Sequence, residues 1–273
     1  MTIADPVALL RSGSGVGAFN VILLEHAEAL VAAAESAGTP VVLQISQNAV
    51  KYHGALEPLL RATLAVARAS TAPVVVHLDH AERIDLVDEA VRLGVGSVMY
   101  DGSRLPYEEN VAATAKVAAT CHAAGVAVEA ELGEVGGKDG AHAPGARTDP
   151  AEAAAFVAAT GVDSLAVAVG TSHAMTTPGA VVDLELVGAL RSAVPVPLVL
   201  HGSSGLDDAG LRAVVAAGIT KVNVGTRLNV AMTRAIRAAL AADAALVDPR
   251  KYLTPARAAI TAEAVAVLAA LAQ

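Results

Sequence analysis

The sequence predicts an α/β protein built as a (β/α)8 TIM barrel, on two observations. Short β-branched runs alternate with alanine-rich amphipathic segments along the whole chain. The runs are continuously apolar rather than alternating, so both faces of the sheet must be covered, as in a parallel sheet wrapped by helices. Several helical segments also close on a glycine that is followed at once by the next apolar run, at AGTP (37–40), LGVG (93–96), AGV (124–126) and AGI (217–219). That is helix C-capping followed by a short αβ loop. Eight such units in 273 residues fit one barrel domain over 1–273, with a helical C-terminal extension from about 243. A doubly wound open sheet would place a glycine-rich dinucleotide loop after the first strand. The glycines of RSGSGVGAF precede that strand instead.

The elements follow in order. GAFNVI (17–22) is the first strand, and LEHAEALVAAAESAG (24–38) is an alanine-rich helix ending on glycine. PVVLQIS (40–46) leads to the helix ALEPLLRATLAVARAS (55–70). PVVVHLDH (73–80) starts as an interior strand and ends in a polar cluster. GSVMYDG (96–102), VAVEAELGE (126–134) and SLAVAVG (164–170) are strands four to six. PLVLHGSS (197–204), the helix DDAGLRAVVAAG (207–218) and KVNVGT (221–226) complete the barrel.

Composition bounds the function. Hydrophobic residues are 54% of the chain and charged residues 17%, which supports a large core and argues against disorder. Aromatics are 2% with no Trp, so Ala, Val and Leu must build that core. A net charge of −8 argues against a nucleic-acid surface. Cys121 is the single cysteine, which excludes a disulfide framework and fits a reducing cytosol. The start MTIADPVALLRSGSG carries no secretory pattern, so a cytoplasmic location is expected. Mean hydropathy is +0.53, yet charge, Gly or Pro interrupts the apolar runs before the roughly 18–20 residues of a membrane span, so no membrane partner is expected.

In this fold the active site lies at the C-terminal ends of the strands. Strand three ends in His77, Asp79 and His80; strand five in Glu129, Glu131 and Glu134; strand six runs to His173; strand seven ends in His201; strand eight in Asn223 and Thr226. The opposite rim has mostly Gly, Pro and apolar residues. Three imidazoles converging with an open fourth position is a usual catalytic zinc arrangement, which makes His80, His173 and His201 the candidate ligands. Asp79 is the candidate acid/base; a carboxylate that orients an imidazole is the other reading of it. His77 is expected to be structural. His26, His53, His122 and His142 are left on the surface or unassigned. HGSSG (201–205) and NVGT (223–226) follow strands seven and eight, where barrels frequently bind phosphate. Their small residues let backbone N–H groups approach an anion, and Ser204 and Thr226 add hydroxyls.

HLDH, EAELGEVGG, GVDSLAVAVGTSH, PLVLHGSSG and KVNVGT, in this order and spacing, resemble the class II, metal-dependent ketose-bisphosphate aldolases, which include the fructose-1,6-bisphosphate and tagatose-1,6-bisphosphate enzymes. The likeness runs from AFN (18–20) to about DPRKY (248–252). It implies one zinc ion per chain on His80, His173 and His201, with Glu131 a carboxylate near the metal and Asp79 exchanging the proton of the C4 hydroxyl. It also implies that Gly202, Ser204, Asn223, Gly225 and Thr226 hold the dihydroxyacetone-phosphate end, that Asn20 and Ser46 line the same pocket, and that a monovalent cation lies near the phosphate. A second base is expected on the glycine-rich stretch GEVGGKDGAHAPGART (133–148). The family usually has a glutamate shortly after GG; here GGKDG offers Asp139, and Glu134 is the second candidate. After His173 the family commonly has Gly and an aromatic, whereas this chain has HAMTT.

The expected reaction is therefore reversible cleavage of a ketose 1,6-bisphosphate to dihydroxyacetone phosphate and glyceraldehyde 3-phosphate, with another ketose phosphate as the alternative substrate. No strand lysine stands out for a Schiff base. A non-catalytic aldolase-like partner subunit would be expected to lose metal ligands, and the three histidines are kept. A metal-dependent hydrolase would carry H-x-H on the first strand, and GAFNVI has none. An alanine-rich exterior together with the resemblance suggests a homodimer or homotetramer, with DPRKYLTPARAAI crossing to a neighbour and Arg257 reaching a substrate phosphate.

Overall fold

The computed structural model describes residues 4–132, 147–171 and 182–272. Eight parallel strands close into a barrel in chain order. They are β1 (Val16–Asn20), β2 (Val41–Ser46), β3 (Val74–Ala81), β4 (Ser97–Tyr100), β5 (Ala127–Leu132), β6 (Ser164–Val167), β7 (Leu198–Leu200) and β8 (Ile219–Val224). β1 pairs with both β2 and β8, which closes the ring. The α-helices among the described residues are α1 (Pro6–Leu10), α2 (Leu24–Ala37), α3 (Gln47–His53), α4 (Glu57–Ala69), α5 (Ile84–Leu93), α6 (Tyr107–Ala123), α7 (Pro150–Thr160), α8 (Leu184–Ala193), α9 (Asp208–Ala217), α10 (Thr226–Ala242) and α11 (Pro249–Leu271).

All eight predicted strands are present; β3, β5 and β8 carry Asp79 and His80, Glu131 and Asn223 within the strand, while β4 and β7 end before Asp101 and His201. β7 stops at Leu200, so His201 and the residues after it leave the ladder for the rim. The predicted glycine caps hold: Gly38 and Gly94 end α2 and α5 in left-handed backbone, with φ of 62° and 90°. A side chain is strained in that region.

The apolar faces sort by alternation. Val41, Leu43 and Ile45 of β2 and Val74, Val76 and Leu78 of β3 point outward and join the core shared with the helices. Val16, Ala18, Val42 and Val75 point inward, and Leu10 of α1 covers them from below. Met99, Ala166 and Val199 form a second apolar patch. The inward faces are not apolar throughout, however. Gln44, His77, Asp79, Ser97, Glu129, Glu131, Lys221 and Asn223 are all buried. The outward valines and leucines make the strands look continuously apolar in sequence, and they mask this polar half of the barrel interior.

α11 packs on α2 and α10. Its buried face includes Ile260, Ala264, Val267, Leu268 and Leu271. By length and composition it is the one described helix able to span a membrane, which qualifies the expectation from the interrupted apolar runs. Here its apolar face lies against the barrel. Its charges pair within the chain: Arg257 donates to Glu28 at 2.5 Å, and Glu263 accepts from Arg227 at 2.7 Å. Arg257, expected to reach toward a phosphate, is thus engaged on α2.

The seam between β1 and α11 is tight. A Cβ on Gly17 would lie 2.7 Å from the Phe19 ring and 3.1 Å from Leu268 Cδ2. Gly17→Ala should therefore destabilise the protein by about 1–3 kcal/mol through overpacking. Urea unfolding would show this as a lower midpoint at unchanged slope; an unchanged midpoint would show that the seam yields freely.

Candidate active site and metal centre

The polar end of β3 is built by a backbone irregularity. An extended strand would put Asp79 and His80 on opposite faces. The β3–β4 register shifts between Leu78 and Ala81, and His80 takes φ 51°, the single positive φ among described non-glycine residues. This rotation brings both side chains to one rim, with His80 Nε2 4.0 Å from Asp79 Oδ1. A left-handed conformation costs a β-carbon-bearing residue about 1–2 kcal/mol, and such strain persists where the surroundings hold it.

Each described candidate histidine is held by carboxylates. His80 Nδ1 lies 3.0 Å from Asp101 Oδ2. Asp101 is fixed in turn by the Ser103 N–H at 3.2 Å and the Ser103 hydroxyl at 2.6 Å. A carboxylate accepts, so His80 Nδ1 carries the hydrogen, and Nε2 is the nitrogen that could ligate a metal. His201 is fully buried, with Nδ1 3.1 Å from Glu131 Oε2 and Nε2 3.1 Å from Glu129 Oε1. Its ring meets that of His80 edge-on, with centroids 4.6 Å apart.

Donor atoms of Asp79, His80 and His201 all lie within 4.8 Å of one another, as do those of His80, Asp101 and Glu131. Imidazole and carboxylate donors at such spacing fit zinc. His173, the third predicted ligand, lies outside the described residues, as do Glu134, Asp139 and His142. Thr171, two residues before His173, donates to the His201 carbonyl at 2.6 Å. Asp101 escaped the sequence reading although the strand-end rule that found the others also applies to MYDG. Lys221 escaped it because a lysine within a strand gives no sign of pointing inward.

The electrostatics follow from burial and pairing. Burial alone would raise the Asp79 carboxyl, but the charges of His80, His201, Lys221 and His77 outweigh it and hold it below the ordinary range. Asp79 therefore stays ionised. Burial works against His201 protonation, yet hydrogen bonds to Glu129 and Glu131 raise it to about 9. Glu129 shows the same contest: burial opposes its charge, while Lys221 and His201 push its pKa down. His77 lies buried in the barrel interior. Its Nδ1 lies 2.7 Å from Ser97 Oγ, its Nε2 has no hydrogen-bond partner among the described residues, and burial, then the Lys221 charge, lowers it to about 3. His26 differs from its surface assignment: it is buried, and its Nδ1 accepts from the Leu23 N–H at 3.2 Å.

Above this floor opens a cleft of about 580 Å³. Asn20, Ser46, Gly202, Ser204, Asn223, Gly225 and Thr226 all line it beside Asp79 and His80. Gly202 has φ 68° and starts the 3-10 turn Ser203–Gly205. The Ser203 hydroxyl donates to the Asn223 carbonyl at 2.6 Å, tying the loops after β7 and β8 together. Gly225, the N-cap of α10, and Thr226, its first residue, both line the cleft, so that helix starts at the cleft wall. Asn223 donates to Asp79 at 3.3 Å, and Asn20 accepts from Gln44 at 3.0 Å. Ser46 caps α3, accepting from the Ala49 N–H at 3.2 Å. Lys51 and Arg104 are further cations of the lining.

A family model for class II fructose-bisphosphate aldolase matches residues 8–273. The chain belongs to the class II fructose-bisphosphate aldolase family. It is similar to the YdjI aldolase of Escherichia coli K12, at 30% identity over 99% of this chain and 97% of that one, with a TM-score of 0.86. It is also similar to a putative fructose-1,6-bisphosphate aldolase from Coccidioides immitis, at 29% identity over 98% and 96% of the two chains, with a TM-score of 0.88. Fructose-bisphosphate aldolase from Campylobacter jejuni shares the fold, at 21% identity, 97% and 92% coverage and a TM-score of 0.80.

The buried floor of this aldolase-family site has a pH signature. His77 stays neutral in the folded chain to about pH 3 but titrates near 6.5 when unfolded. Between those values the unfolded chain binds the extra proton, so stability falls as pH falls through the window. One such group contributes up to about 1.4 kcal/mol per pH unit. Denaturant midpoints measured at pH 7 and pH 5 should drop more for the wild type than for His77→Asn. Equal drops would mean that His77 accepts a proton without unfolding.

Proposed function

We propose that this chain catalyses metal-dependent, reversible aldol cleavage of a ketose 1,6-bisphosphate, fructose 1,6-bisphosphate first, to dihydroxyacetone phosphate and glyceraldehyde 3-phosphate. One observation carries the reading. An ionised Asp79, two imidazoles with converging donor atoms and an uncharged glycine-and-hydroxyl pocket occupy one strand-end cleft. His80, His201 and, from the family resemblance, His173 would hold the zinc ion, with Glu131 beside it. When bound there, zinc supplies Lewis-acid stabilisation of the charge that develops on the ketose carbonyl oxygen.

The chain's own residues do the rest. Asp79 takes the C4 hydroxyl proton as the C3–C4 bond breaks, and the Asn223 amide holds the carboxylate in place. Gly202, Ser204, Gly225, Thr226 and the α10 N-terminus bind the phosphate of the dihydroxyacetone end. Lys51 and Arg104 suit a second anionic group on the aldehyde part. Lys221 takes no Schiff-base role: it is 2% exposed and bonded to Glu129 below the cleft. The base that serves the dihydroxyacetone carbon is assigned to Asp139 or Glu134.

Coupled assay of fructose 1,6-bisphosphate cleavage tests the proposal. Chelation should abolish turnover and zinc restore it. Asp79→Asn should retain zinc and lose about 10²–10⁴-fold in kcat, the usual contribution of a positioned acid/base. Near-normal turnover of that variant would sink the role of Asp79. The sequence HAMTT after strand six departs from the family pattern, so tagatose 1,6-bisphosphate belongs in the same assay. Cleavage of neither sugar by the zinc-loaded chain would refute the substrate class.

A further inference from the structure

The cleft lining carries a second charged cluster besides its floor. Glu82 follows β3, Arg104 lies in the loop after β4, and both line the cleft. Glu82 is clasped at two points. Its N–H donates to Gln47 Oε1 at 3.1 Å, and Gln47 Nε2 donates back to Glu82 Oε2 at 3.3 Å. Gln47 is itself buried at the start of α3. The other carboxylate oxygen, Oε1, lies 3.7 Å from Arg104 Nη1. The backbone on both sides of Arg104 is held too. The Asp101 N–H donates to the Ala81 carbonyl at 2.9 Å, and the Leu105 N–H donates to the Gly102 carbonyl at 2.9 Å. A Cβ on Gly102 would collide with the Asn110 side chain, which keeps this turn close to α6. Such order does not serve stability. The Arg104 and Glu82 side chains are 45% and 40% exposed, and an ion pair open to water contributes little. It does suit recognition. A guanidinium is a planar fork of donors, so one edge can face Glu82 while another meets a phosphate in the cleft. Lys51, on α3, is an exposed point charge on a flexible stem, with no hydrogen bond or ion pair among the described residues to aim it.

We propose that Arg104 is the specificity-determining residue for the distal phosphate of the ketose bisphosphate, and that Glu82 and Gln47 are positioning residues that aim its guanidinium. The inference rests on the aldol reading of this cleft. It goes further by assigning the choice between a bisphosphate and a 1-phosphate to one side chain. The glycine pocket after β7 and β8 serves the phosphate common to both sugars, so removing the distal phosphate isolates Arg104.

Retro-aldol kinetics of the zinc-loaded chain on fructose 1,6-bisphosphate and fructose 1-phosphate test this. In Arg104→Met the ratio of kcat/KM for the bisphosphate over the monophosphate should fall about 10–100-fold, the usual worth of a charge-assisted hydrogen bond, with the loss residing in KM. Arg104→Lys keeps the charge without the fork, so it should recover part of the ratio. Glu82→Gln keeps a partner for Gln47 and drops the charge, so it should raise KM for the bisphosphate by a smaller factor. An equal loss on both sugars in Arg104→Met would overturn the proposal. A lower KM in Glu82→Gln would show that this carboxylate competes with the substrate, and would overturn its positioning role. Calorimetric titration with glyceraldehyde 3-phosphate needs no turnover. Its affinity should fall by the same factor in Arg104→Met, and an unaltered affinity, or no binding to the wild type, would overturn the proposal. A wild-type chain that cleaves neither sugar yet binds glyceraldehyde 3-phosphate through Arg104 would refute the reaction and keep the subsite, which separates the two failures.

Discussion

The site depends on a barrel interior that is closed to water. Eight strands leave room inside only for side chains, and α1 covers the lower end. A polar group placed there gains from a protein partner, because an unpaired one costs about 1–3 kcal/mol. The upper interior therefore organises as a connected set: Lys221 to Glu129, Glu129 to His201, His201 to Glu131. Each link fixes the geometry of the next. The result is a rigid floor under an open cleft, the arrangement a charge-stabilising site needs.

The same dryness shapes the electrostatics. Burial acts against every charge, and the neighbours decide whether it prevails. His77, with a serine for a partner and a lysine nearby, is driven neutral. His201, between two glutamates, is driven the other way. Asp79 remains ionised because four basic groups outweigh its burial. Three inward groups of one barrel thus reach three protonation outcomes through burial and neighbours together. Such a separation keeps a carboxylate charged beside imidazoles that differ in protonation.

The rim adds a different kind of control. His80 reaches the site only through a bulge and a left-handed backbone. The loops after β7 and β8 are joined by Ser203 and contribute glycines and hydroxyls rather than cations. An anion there meets backbone dipoles, while the cations of the lining come from α3 (Lys51) and the loop after β4 (Arg104).

The strand order, the helix caps and most of the rim were legible in the sequence, because apolar periodicity and glycine placement are local signals. HLDH, HGSSG and NVGT marked their strand ends for the same reason: in a barrel, chain position along a strand maps directly to depth. The resemblance carried by those motifs also named the family to which the chain belongs. Tertiary structure decided what pairs with what. Asp101 holds His80 from the next strand, and Lys221 meets Glu129 across 92 residues of chain. The rotation that turns His80 toward Asp79 depends on the β3–β4 register. Such contacts are long-range, so no local pattern encodes them. They arise only when the sheet closes and brings these buried polar groups within reach of one another.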